Sequence, residues 1–142
     1  MSLRSRKPSP LVAAAAAVLA ADIAGFVVAT ATGLAGLTTA IVSGTSINAP
    51  APFVAVQMTV AGLAAAYRGR PGGTVAAGLL VPLCLVSVGS GFTDGSFGDA
   101  ALNGGDIGVQ AWIVVATAAL GALAARQLAA AVRSRSVGRA TA

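Results

Sequence analysis

The carboxylates and thiol that could carry acid–base, nucleophilic or metal chemistry are few: Asp22, Asp94, Asp99, Asp106 and Cys84. There is no His and no Glu. Asp94, Asp99 and Asp106 fall in the most polar stretch, GFTDGSFGDAALNGGD, residues 91–106. Carboxylate and amide oxygens suit Ca²⁺ or a hydrolytic metal. The spacing is not that of an EF-hand, however, and no bidentate Glu completes a ligand set. The three acids are therefore weak metal candidates, and the stretch reads as a solvated loop. Cys84 lies in an apolar run without a second Cys, so no disulfide, CxxC motif or Cys/His metal site is expected. These residues predict no cofactor, no catalytic constellation and no enzyme.

Asp22 is placed differently. It sits near the middle of LVAAAAAVLAADIAGFVVATA, residues 11–31, a stretch of the length that crosses a ~30 Å hydrocarbon core as a helix. A charge at that depth costs about 2.5–3.5 kcal/mol on insertion scales. The carboxyl must find hydrogen-bond partners inside the protein, because unpaired polar groups in hydrocarbon are expensive. Its neighbours on one helix face are Ala15, Gly25 and Ala29, small residues that let helices approach closely. Asp22 is either a proton or cation site or an interhelical hydrogen-bond clamp. Helical rise puts it roughly 16 Å from Leu11, Gln57 roughly 15 Å from Tyr67, and Pro82 and Thr117 roughly 13–14 Å from Gly73 and Arg126. The candidate intramembrane polar site is Asp22 paired with Gln57, with Thr59 or Thr117 as further partners.

The elements that must position these groups follow from composition. The 142 residues are 56% hydrophobic and 9% charged, with mean hydropathy +0.86. Soluble domains carry about 25% charged residues, so this is the membrane class. The expected fold is all-α: one polytopic membrane domain over residues 1–142, a four-transmembrane-helix bundle with two longer extracytoplasmic loops. The spans are expected at about 11–31, 50–67, 73–90 and 107–125, with basic tails at 1–10 and 126–142.

The N-terminal MSLRSRKPSP and the Ala-rich run after it mimic a signal peptide, with Val18-Leu19-Ala20 as a cleavage site. The apolar run continues through Ile23, Phe26, Val27 and Val28, which predicts an uncleaved first span. A break is expected near residues 32–36. Residues 35–42 then lie along the interface, re-enter the membrane or extend over the bundle. Residues 43–52 read as a turn-rich loop whose prolines open the second helix. Pro71-Gly72-Gly73 is a tight turn. Pro82 predicts a kink that membrane helices tolerate. Trp112 is an interface anchor for the last span. The small series Ala17, Ala21, Gly25 packs either within the bundle or between protomers.

Four spans place both tails and the 68–73 turn on one side, with all nine Lys and Arg residues. The other side holds Asp94, Asp99 and Asp106 and no cation. The positive-inside rule then predicts N-in, C-in topology. The +5 charge flanks apolar spans without interleaved aromatics, which argues against nucleic acid. Three function classes are open. The first is a non-enzymatic accessory or interaction bundle, with the lipid bilayer, a membrane-protein partner or a second copy as its contacts. The second is a small proton- or cation-linked transporter or channel using Asp22. A hydrolase built on the three loop acids is the weakest.

The stretches SGTSINAPAPFVAVQ (43–57) and SGFTDGSFGD (90–99) at the outer loops, on an Ala-rich four-span layout, resemble the uncharacterised small four-span integral membrane proteins of actinobacteria. The layout is also loosely similar to DoxX-like membrane proteins. The resemblance implies a bacterial cytoplasmic (inner) membrane location and brings no activity or site residues with it.

Overall fold

The computed structural model describes residues 9–93 and 104–140. Apart from an isolated bridge between Thr45 and Asn48, the regular structure among them is helical. Helix α1 covers Pro10–Ala31, α2 Leu37–Val42, α3 Ala51–Ala66, α4 Pro71–Thr93 and α5 Gly104–Ala140. Asp94 and Asp99 lie outside the described residues.

Local chemistry sets the ends of α1. Ser9 caps it by accepting from the Val12 N–H at 3.3 Å, and Pro10 occupies the first turn, where its missing N–H is harmless. Alanine, the best helix former, fills much of the interior. The helix stops where expected: Thr32 turns its hydroxyl back to the Val28 carbonyl at 2.8 Å, and Gly33 takes φ +75°, which a side chain would resist.

Helices α1, α4 and the first 31 residues of α5, Gly104–Ser134, are long and apolar enough to cross a membrane, and they mark the chain as a membrane protein. Helix α3 is also apolar but has 16 residues, about 24 Å against a core of about 30 Å. Its far end is fixed by the turn into α4. Gly69 takes φ +80° there, and a Cβ on Gly73 would stand 2.1 Å from the Tyr67 carbonyl oxygen.

Helix α5 packs along both α1 and α4, α3 packs along α4 and less extensively along α1, and α2 touches α1 and α3. The buried positions repeat at helical spacing: Leu11, Val18, Ala21, Asp22, Gly25 and Ala29 on α1; Val54, Gln57, Ala61 and Ala64 on α3; Gly73, Ala76, Ala77, Leu80 and Cys84 on α4. Most are small, so close backbone approach replaces the large side chains of a soluble core. The series Ala17, Ala21, Gly25 packs inside the molecule: Ala21 is fully buried and Ala17 borders the core. Leu, Ile and Val side chains cover the outside instead.

Three boundaries differ from the sequence reading. Helix α4 runs uninterrupted through Pro82, which stands on the exposed face, and continues to Thr93. Gly104–Asp106, expected in the polar loop, form the first turn of α5. That helix also continues past Arg126 to Ala140, where a tail was expected. Hydropathy falls at Arg126, but Gln, Leu, Ala and Arg are all good helix formers, and no proline interrupts them.

Candidate functional site

Asp22 faces inward, as its cost in hydrocarbon requires, and is 7% exposed. Its Oδ1 accepts a hydrogen bond from the Ala49 backbone N–H at 3.0 Å. Ala49 immediately precedes Pro50, the N-cap of α3, so the carboxyl also stands at the positive end of that helix dipole, where an acid is favoured. One turn along α1, Gly25 seats the same loop. A Cβ on Gly25 would stand 1.8 Å from the Ile47 carbonyl oxygen and 3.3 Å from Asn48 Cβ. Ile47 is fully buried against Ala29 and Val28.

The loop that meets Asp22 is braced from within. The Thr45 N–H donates to the Asn48 carbonyl at 2.9 Å, and the Thr45 hydroxyl donates to Asn48 Oδ1. Asn48 Nδ2 donates to the Ala40 carbonyl of α2 at 2.9 Å and to the Ala49 carbonyl at 3.2 Å. Gly44 takes φ +73°, and a Cβ there would meet the Asn48 carbonyl oxygen at 2.7 Å. Asp22 thus ties α1 to the loop and to the start of α3, while Asn48 ties the loop to α2. Residues 43–50 are a packed insert at one end of the helices.

The remaining candidates are placed as follows. Gln57 is buried, but its Nε2 donates to Cys84 Sγ at 3.5 Å across α3 and α4. Asp22 and Gln57 therefore each have a partner other than the other. Thr59 stands on the exposed face of α3, with its hydroxyl donating to its own helix at the Ala55 carbonyl, 2.8 Å away; it does not join the buried polar groups. Thr117 is 1% exposed, and its hydroxyl has no partner. Asp106 is buried in the first turn of α5. Among the described residues no three His, Cys, Asp or Glu side chains lie together as a metal site would need.

Sequence reasoning did not single out Asn48, Gly121 or Gln110, and it gave Cys84 no partner. A Cβ on Gly121 would stand 2.9 Å from Cys84 Cβ, so α4 and α5 meet there backbone to thiol. Gln110 donates to the Gly91 carbonyl at 3.4 Å, while its buried Oε1 has no partner. Asn48 carried a signal, since Gly-Thr-Ser-Ile-Asn before two prolines is turn chemistry. The Ala49 N–H carried none, because every residue but proline has one.

Three recesses border these groups, one of them, of about 350 Å³, lined by Asn48, Ala49, Gly91 and Gln110 among others. An apolar groove of about 550 Å³ opens between α1, α2 and α3, with Leu19, Phe26, Ile41 and Met58 on its walls and Asp22 at its edge. At the opposite end of α1, a recess of about 460 Å³ lies between the start of α1, the α3–α4 turn and α5, lined by Arg68, Arg126 and Gln127 among others. Gln127 Nε2 donates to the Ala64 carbonyl at 2.8 Å and the Gly73 carbonyl at 3.4 Å. This holds α5 against the ends of α3 and α4.

Comparison with known proteins finds no matching family model, no matching curated protein and no matching solved structure.

Proposed function

We propose that this chain is a four-span bundle of the bacterial cytoplasmic membrane, N-in and C-in, that works by contact with a membrane partner or a second copy and not by catalysis. The observation that carries the reading is the bond from the Ala49 N–H to Asp22. An acid at membrane depth is a functional candidate by default, and here its hydrogen bonding serves the seat of the loop and α3. The inner polar groups Gln57 and Gln127 likewise bind protein atoms. In this reading α3 completes the fourth crossing together with the packed insert 43–50, which makes up its missing length.

The surface left for partners is the apolar exterior and the extension of α5. From Arg126 to Ala140 that helix is about 21 Å long, with Arg126 and Arg133 exposed. A photo-reactive residue at Val132, which is 57% exposed, tests the proposal in native membranes. The reading predicts a discrete protein adduct; lipid adducts alone would contradict it.

A second reading, proton- or cation-linked transport through Asp22, is favoured by one feature, the groove between α1 and α3 that brings Asp22 to its edge. Liposome flux driven by a pH gradient separates the two. The interaction reading predicts no flux above that of Asp22→Asn, and flux lost in that variant supports transport.

A further inference from the structure

The recess at the basic end has a chemistry of its own. Its guanidinium groups come from two elements, Arg68 on the α3–α4 turn and Arg126 on α5, and its apolar floor from Leu11 of α1 and Leu123 of α5. No Asp or Glu lies between residues 23 and 93 or after residue 106. Asp22 stands roughly 16 Å up α1, and Asp106 is at the far end of α5. Both arginines are exposed, so their planar donor forks are open to an external anion. The hydroxyl of Ser134, also on the lining, donates to the Ala131 carbonyl at 2.9 Å and presents its oxygen as an acceptor.

We infer that this recess binds the headgroup of an anionic phospholipid, with the phosphodiester between Arg68 and Arg126 and the upper acyl chains against Leu11 and Leu123. Two observations select a lipid over a free anion. The cationic rim stands at the end of the apolar length of α1, where headgroups lie in a membrane. The lining beneath it is apolar, with Leu11, Leu123, Ala130 and Ala131. Basic pockets between membrane helices hold acidic headgroups in this way. The site needs the chain to be in a membrane but is independent of which way round it is inserted.

The test uses the full-length protein in mild detergent, loaded with equal amounts of phosphatidylglycerol and phosphatidylcholine and read by native mass spectrometry. The wild type is expected to retain one phosphatidylglycerol in preference to phosphatidylcholine. The Arg68→Gln, Arg126→Gln pair is expected to lose about tenfold of that preference, and the Arg70→Gln, Arg133→Gln pair, with equal charge loss outside the recess, no more than about twofold. Leu123→Trp fills the floor without changing charge and is expected to lower retention as well, which keeps the test independent of any folding defect in the arginine pair. Equal loss in the two arginine pairs, unchanged retention in Leu123→Trp, or no preference in the wild type would overturn the site. Displacement of the lipid by millimolar inorganic phosphate would assign the recess to the free ion and overturn the lipid.

Discussion

At the residue scale, the cost of a buried charge dictates where Asp22 faces, and the backbone decides what it meets. That the acid turns inward was legible from its depth and from Gly25 and Ala29 beside it. That its partner is a main-chain N–H was not, because side-chain polarity is the only pairing signal a sequence displays. The expected pairing with Gln57 drew on matching depths, and depth says nothing about which face a residue occupies; Thr59, expected as a further partner, faces outward. Losing a hydrogen bond to an acidic group costs about 1.5–3 kcal/mol. Asp22→Leu is therefore expected to destabilise the protein by about that much in a reversible detergent-unfolding titration, and Asp22→Asn, which keeps an acceptor oxygen, by less. Gly25→Ala puts a Cβ 1.8 Å from the Ile47 carbonyl oxygen, and since backbone cannot yield as a flexible side chain does, a loss of at least about 2 kcal/mol is expected in the same titration. Thr117→Val is expected to be neutral or stabilising by up to about 1 kcal/mol, because it removes a buried hydroxyl that has no partner.

At the element scale, periodic apolar length and turn chemistry made α1, α3 and α4 legible to within a few residues. The extension of α5 was not, because falling hydropathy marks where a membrane ends and not where a helix ends. The sequence leaves the path of residues 35–42 open among three routes; in the structure Leu37–Val42 form α2, touching α1 and α3. No hydrophobic period in the sequence specifies the arrangement of 43–50, which rests on Thr45, Asn48 and the freedom of Gly44 at φ +73°. Asn48→Ala removes the bond to the Ala40 carbonyl. It is expected to speed hydrogen exchange across 37–48 several-fold while leaving α4 and α5 unchanged, as befits a locally held unit. Equal acceleration in α4 would mean that Asn48 supports the whole molecule instead.

At the scale of the whole molecule, membrane class was legible because 9% charged residues cannot clothe a soluble surface. The distribution of charge is carried into the structure: Arg68 and Arg126 line one recess, and Asp106 lies at the other end of α5. The N-in, C-in proposal predicts that Ser46→Cys reacts with a membrane-impermeant maleimide added to whole cells, while Arg70→Cys reacts only after lysis. The native Cys84, 2% exposed, stays unlabelled in both. In this reading Asp22, in the middle of the first apolar stretch, holds the insert 43–50 in place instead of carrying cargo. Hydrogen exchange over residues 43–50 in lipid nanodiscs, compared between the wild type and Asp22→Leu, separates the two roles. Slow exchange is expected in the wild type and exchange about tenfold or more faster in the variant, the factor that corresponds to losing about 1.5–3 kcal/mol. Exchange unchanged by Asp22→Leu would contradict the holding role, and would return Asp22 to the role of a transport site.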